Sequence, residues 1–81
     1  MARVLLFGPL SDIAGWRERT VDPAPSTLKA LRAALSAEDA ALGEALARPG
    51  VQAAVDKMLI RGDATLADGA EVAFLPPMSG G

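Results

Sequence analysis

The chain contains no cysteine, no histidine and no tyrosine. Without cysteine there is no disulfide, no thiol nucleophile and no thiolate metal ligand. Without histidine there is no imidazole to act as a general base. A zinc site would have to be built from carboxylates alone, which is not how protein zinc sites are made, so no metal is expected. The hydroxyls are Ser11, Ser26, Ser36, Ser79, Thr20, Thr27 and Thr65, and none sits in an activating motif. A chain so composed is not expected to be catalytic alone. Aromatics are scarce as well: Phe7, Trp16 and Phe74 offer little for stacking on bases. Eight Lys and Arg stand against ten Asp and Glu, a net charge of −2, and no basic stripe forms. That counts against a nucleic-acid partner, because phosphate binding needs concentrated positive charge. The apolar run Val4 to Phe7 is far too short for a bilayer. The N-terminus lacks the apolar run and small-residue cleavage site of a signal peptide. The expectation is a soluble, cytoplasmic protein with no membrane partner.

What remains is one domain with a modest core, 81 residues long and 51% hydrophobic. Arg3 to Phe7 reads as a strand ended by Gly8-Pro9. Ser11 to Gly15 fits one short helical turn. Trp16 to Asp22 alternates and reads as a second strand, charged enough for a sheet edge. Pro23-Ala24-Pro25 breaks it, and Ser26 or Thr27 suits a helix N-cap. Leu28, Leu31 and Leu35 then form an apolar helical stripe, with Lys29 and Arg32 expected to face outward. A second short helix is expected within residues 36–47, with Leu42 and Leu46 inward, ended by Arg48-Pro49-Gly50. Val51 to Val55 and Lys57 to Arg61 are strand-like, with a bend at Asp56 and Lys57. Gly62-Asp63 and Asp68-Gly69 signal turns, and Glu71 to Leu75 is the last strand.

The order β-β-α-(α)-β-β-β predicts an α+β fold. The two apolar terminal strands are expected side by side and parallel in the centre of a mixed sheet of about five strands. One main helix packs on one face. This is the β-grasp, or ubiquitin-like, arrangement, assigned to residues 1–75. Residues 76–81 are assigned to an extended, flexible C-terminal tail ending in Gly-Gly.

That tail, Pro76-Pro77-Met78-Ser79-Gly80-Gly81, is the most distinctive stretch of the chain. Two prolines cannot join a sheet ladder, and they favour an extended exit. Beyond them the chain loses bulk, then side chains altogether. A glycine has no Cβ, so its backbone approaches a ligand closely. A terminal carboxylate becomes electrophilic only when converted to something like an acyl-adenylate, and a side chain at Gly81 would crowd that step. Glycine pairs also occur at frayed chain ends. The prolyl spacer and the preceding fold pattern favour the chemical reading.

The run Asp68-Gly69-Ala70-Glu71-Val72-Ala73-Phe74-Leu75-Pro76-Pro77-Met78-Ser79-Gly80-Gly81 resembles the C-terminus of the molybdopterin synthase small subunits, members of the ubiquitin-like sulfur-carrier family. That family shows Asp-Gly-Asp-Glu-Val-Ala, two apolar residues, then Pro-Pro-Val-Ser/Thr-Gly-Gly. Arg3-Val4-Leu5-Leu6-Phe7 is similar to its first strand, and Thr27-Leu28-Lys29-Ala30-Leu31-Arg32 to its helix. This chain departs at Asp56, where the family often has Asn, at Ala70 for Asp, and at Met78 for Val.

The resemblance implies a sulfur carrier for molybdenum cofactor biosynthesis. An E1-like adenylyltransferase uses ATP to adenylate Gly81, and no cofactor is bound by the carrier itself. A donor such as a persulfide then converts Gly81 to a thiocarboxylate. Pro76, Pro77, Met78, Ser79 and Gly80 thread the tail into the large synthase subunit. There the sulfur attacks cyclic pyranopterin monophosphate. The assembly implied is a heterotetramer of two small and two large subunits. Sulfur carriers for thiamine, cysteine or tRNA thiolation would use the same tail chemistry. A ubiquitin-like protein modifier, or a binding module with an inert tail, also fits.

Strand alternation adds a docking face. Val4, Leu6, Val72 and Phe74 share one side of the sheet. Arg3, Leu5, Phe7, Glu71, Ala73 and Leu75 share the other, and the charged pair marks it as the side away from the helix. Leu5, Phe7, Ala73 and Leu75 then form an exposed apolar patch, which Leu59 joins if its strand is adjacent. The resemblance matches Phe7, Leu59 and Leu75 to positions that contact the large subunit. The alternative is that the chain's own loops cover this face.

Overall fold

The alternating and helical stretches of the chain fold into eight elements: β1 (Ala2–Leu6), α1 (Pro9–Ala14), β2 (Glu18–Val21), α2 (Leu28–Glu38), α3 (Ala40–Leu46), β3 (Gln52–Val55), β4 (Met58–Ile60) and β5 (Ala70–Leu75). The structure, a computed structural model, describes residues 1–77. The expectations placed on Met78, Ser79, Gly80 and Gly81 lie outside the described residues.

The five strands form one sheet in the order β2-β1-β5-β3-β4. β5 is central. It runs parallel to β1, with Val4 opposite Val72 and Leu6 opposite Phe74, and antiparallel to β3, with Ala53 opposite Phe74. β2 and β4 are antiparallel edges. The expected mixed sheet with parallel terminal strands is therefore present. β1 and β5 are uniformly apolar on one face because that face is wholly buried. Val4, Val72 and Phe74 join Leu28, Leu31 and Leu35 of α2 and Leu42, Ala45 and Leu46 of α3 in a single core. Full burial of side chains of this size stabilises by about 1.5–3 kcal/mol each.

The helices start where polar side chains accept the first free N–H groups. The Thr27 hydroxyl accepts from Ala30 N at 3.1 Å. Asp63 reaches over from the loop after β4 and accepts from Lys29 N at 2.8 Å. Asp39 ends α2 and caps α3, accepting from Leu42 N at 3.2 Å. The elbow between these helices is tight. A Cβ on Gly43 would fall 2.2 Å from Ser36 Oγ and 2.8 Å from Ser36 Cα.

Three details differ from the expectation. Arg32 does not face outward. It is half-buried, with its guanidinium 5.4 Å from the centroid of the Phe74 ring and Nη1 donating to Leu46 O at 3.5 Å. The aliphatic stem packs on the core while the charge lies over an aromatic face. β2 begins at Glu18, not Trp16. Trp16 therefore escapes the outward side of the alternation and packs against the core, with the Arg19 guanidinium 5.2 Å from its ring centroid. β4 is limited to Met58–Ile60.

The β3–β4 turn explains one departure from the family pattern. Asp56 and Lys57 have φ of 49° and 69°, the left-handed values that a two-residue hairpin requires. Asp tolerates them better than most residues. The Asp56 carboxylate also accepts from Glu71 N at 3.0 Å, and Asp56 N donates to Glu71 O at 2.8 Å, tying the turn to β5. Asp56→Ala is expected to lower stability by about 1–2 kcal/mol in denaturant unfolding. Asp56→Asn keeps both the acceptor and the turn preference, and is expected to stay within about 0.5 kcal/mol.

Candidate functional site

The site is built from the end of β5. Its last paired residue is Leu75, opposite Gln52 of β3, and Phe7 N donates to Phe74 O at 3.2 Å from the other side. Pro76 and Pro77 follow, half-buried and exposed respectively. Neither has an N–H, so the ladder ends at this point for a covalent reason. The central strand of the sheet thus delivers the tail to one end of the molecule.

Beside this exit lies the sheet face away from the helices. Pairing sets Glu18, Leu5, Ala73, Ala54 and Leu59 in one row across all five strands. Leu59 is therefore on the same face as Leu5 and Ala73, although β4 pairs with β3 and not with β5. Phe7 is 43% exposed and Leu59 61% exposed. Leu5, Ala73 and Leu75 are half-buried. None of these five belongs to the core that the helices cover. Among the described residues, no loop seals this face.

The face is divided along the strands. Toward the start of β1 and β5 it is ionic: Arg3 Nε donates to Glu18 Oε2 at 3.2 Å, and Arg3 Nη2 lies 3.4 Å from Glu71 Oε1. Toward the tail it is apolar except for Glu18, level with Leu5 on the β2 edge. Ala54 belongs to this apolar half and sequence reasoning missed it. Its signal was the alternation within Gln52–Val55, which acquires meaning only once β3 is known to pair with β5.

The described residues supply no reactive group beside the tail. The shifted titrations are at the other end of the sheet. There the Met1 ammonium donates to Asp68, and this contact raises the ammonium pKa and lowers that of the Asp68 carboxyl. Both groups are fully exposed, so the pair adds little to stability. Among the described residues, no three His, Cys, Asp or Glu are grouped to hold a metal ion. A cavity of ≈390 Å³ between α2 and the β3–β4 edge is lined by Arg32, Gln52, Leu59 and Arg61 among others, and contains no nucleophile or base. No helix among the described residues is long and apolar enough to cross a membrane.

The family model for ThiS matches residues 4–81, from the first strand through the whole tail. The chain belongs to the ThiS family. Within curated proteins it is similar to the molybdopterin synthase sulfur carrier subunit of Escherichia coli (strain K12), 36% identical over 81 residues that cover 100% of both chains. Among solved structures it is similar to SAMP1 from Haloferax volcanii, with a TM-score of 0.81 and 25% identity over 99% of this chain and 98% of the other. The small archaeal modifier protein 1 from Methanosarcina acetivorans has the same fold, with a TM-score of 0.86 at 22% identity over 99% and 95%. The ubiquitin-like β-grasp fold and the likeness to sulfur carriers expected from the residues are thus both found. The ThiS match includes Pro76 to Gly81.

Proposed function

We propose that this chain is the sulfur carrier subunit of a molybdopterin synthase, acting in the cytoplasm, with the Gly81 carboxyl as its reactive group. The observation that carries the reading is positional. The central strand ends in two prolines beside the apolar half of a sheet face that the described residues leave open, and Gly-Gly follows them in the sequence. The full-length similarity to the E. coli carrier subunit supports the choice of pathway.

The chemistry is the one that the resemblance to sulfur carriers implies. Gly81 is adenylated by a partner of the E1-like class, and the chain has no activating motif of its own for that step. Its carboxylate oxygen attacks the α-phosphorus of ATP, and pyrophosphate leaves. A persulfide sulfur then displaces AMP, and a thiol attacks the outer sulfur of the resulting acyl disulfide, releasing the thiocarboxylate and forming a new disulfide. Pro76 to Gly80 carry this end into the large subunit, the two kinds of subunit pairing two and two. There the sulfur attacks the pterin precursor, and hydrolysis returns the Gly81 carboxylate. The cationic and acid–base groups for that step belong to the partner. Carriers for thiamine, cysteine or tRNA thiolation share all but the last acceptor. The likeness to Haloferax SAMP1, a small archaeal modifier protein, favours a second reading in which Gly81 is joined to lysines of other proteins. Isopeptide-linked conjugates in cells would distinguish it.

Phe7, Leu59 and Leu75 form the docking contact in this reading. Phe7→Ala or Leu75→Ala is expected to weaken large-subunit binding by about 1 kcal/mol or more, measured by titration calorimetry. Unchanged affinity in both variants would place the contact elsewhere. The direct test of the reading is sulfur transfer in a mixture of carrier, adenylating enzyme, ATP, sulfur donor, large subunit and pterin precursor, with dithiolene formation as the readout.

A further inference from the structure

The chain leaves the sheet between two glycines. Gly8, in the loop after β1, has φ +57°, and a Cβ there would lie 3.2 Å from Cγ of Pro76. Gly50, in the loop before β3, has φ +89°, and a Cβ there would lie 3.1 Å from Cβ and 3.5 Å from Cα of Pro77. β1 and β3 are the strands that flank β5. Consecutive prolines are therefore approached from opposite sides of the central strand. Backbone conformation alone does not account for this placement. Gly15, Gly62 and Gly69 also have positive φ, of 82°, 79° and 84°, yet nothing lies within 4 Å of a Cβ built on any of them. Gly8 and Gly50 are set apart by the proline each one faces.

No ladder hydrogen bond can hold this segment from the N–H side, because prolines have none to give. The two loops instead come so close to Pro76 and Pro77 that a side chain on either glycine would crowd the proline it faces. We propose that Gly8 and Gly50 are positioning residues, a two-sided collar that fixes the direction of the chain at Pro76 and Pro77 and so aims Gly81 into the partner's active site. The inference rests on the carrier function proposed above. The partner is held at the open sheet face, while the reacting carboxyl is six residues beyond Leu75. An extended chain advances roughly 3.3–3.6 Å per residue, so a tilt of about 10° at Pro77 moves the position reached by Gly81 by roughly 2 Å. Displacements of that order are costly when reacting atoms must meet in a near-attack geometry.

The test compares three thiocarboxylated carriers on the large subunit: the natural chain, Gly50→Ala and Gly69→Ala. The two substitutions carry a matched left-handed backbone penalty, φ +89° against +84°, but only Gly50→Ala puts a methyl group against Pro77. Single-turnover transfer at saturating large subunit is expected to slow on the order of tenfold for Gly50→Ala and to be unchanged for Gly69→Ala. Affinity for the large subunit is expected to stay within about twofold for both. Pro76→Ala removes the Cγ that faces Gly8 and leaves both loops unaltered. It is expected to slow the same step, and it decides the matter if Gly50→Ala does not fold. Equal single-turnover rates for Gly50→Ala and Gly69→Ala, or a loss confined to affinity, would overturn the collar. If Pro76→Ala has to stand in, a natural rate from it would do the same. A natural chain that transfers no sulfur overturns the carrier reading and the collar with it.

Discussion

Deletion of Gly81, or addition of one alanine after it, is expected to reduce sulfur transfer to background while leaving the domain folded. The two changes act on the same atom by different routes. Deletion moves the carboxyl one residue back and sets Gly80 in its place. Extension converts the Gly81 carboxyl into an amide, which ATP does not adenylate. Neither touches the core, which ends with Phe74 and is sealed by α2 and α3. Trp16, the single tryptophan, packs against that core and reports its integrity by fluorescence. An unchanged denaturation midpoint together with lost transfer is the predicted pair of results. A carrier that turns over normally with either change has an inert tail.

The largest stability effect is expected at Phe74. It is fully buried near the C-terminal end of the central strand, between Leu6 of β1 and Ala53 of β3, and the Arg32 guanidinium lies over its ring. Phe74→Ala removes the ring and leaves a cavity that the sheet and α2 cannot close without losing register. The expected loss is about 3–5 kcal/mol. Domains of this kind have about 5–15 kcal/mol in total, so the variant is expected to sit near its unfolding midpoint in mild denaturant. Urea titration followed by Trp16 fluorescence measures the loss. A cost below about 1 kcal/mol, the size of an ordinary surface substitution's upper range, would mean that Phe74 is not central to the core.

These two residues also show what the sequence made legible. Phe74 is readable because β5 alternates: Val72 and Phe74 fall on one side, Ala73 and Leu75 on the other. The same period gives the face division that separates Leu5 from Leu6. The leucine stripe of α2 is a local signal too, set by helical spacing, whereas the sequence over residues 36–47 marks a second helix without locating the elbow at Asp39. Charge alone marks Arg32 for solvent, whereas its stem packs and its guanidinium rests on an aromatic ring four elements further along the chain. Leu66 was not recognised as buried, since it lies in an irregular loop with no period to betray it. Ala54 and the Gly8–Pro76 and Gly50–Pro77 contacts depend on which strands are neighbours, and pairing between distant segments is not written in any one window of sequence. The tail stands out in the sequence for a different reason: two prolines and two glycines act through the backbone, and the family match extends over them.

Intact-mass measurement of the chain, after incubation with its adenylating enzyme, ATP and a sulfur donor, tests the central claim most directly. A sulfur-for-oxygen mass increment that fragmentation assigns to Gly81, and that disappears when ATP is withheld, is the predicted result. An unchanged mass, or a sulfur adduct located anywhere other than the terminal carboxyl, would contradict it.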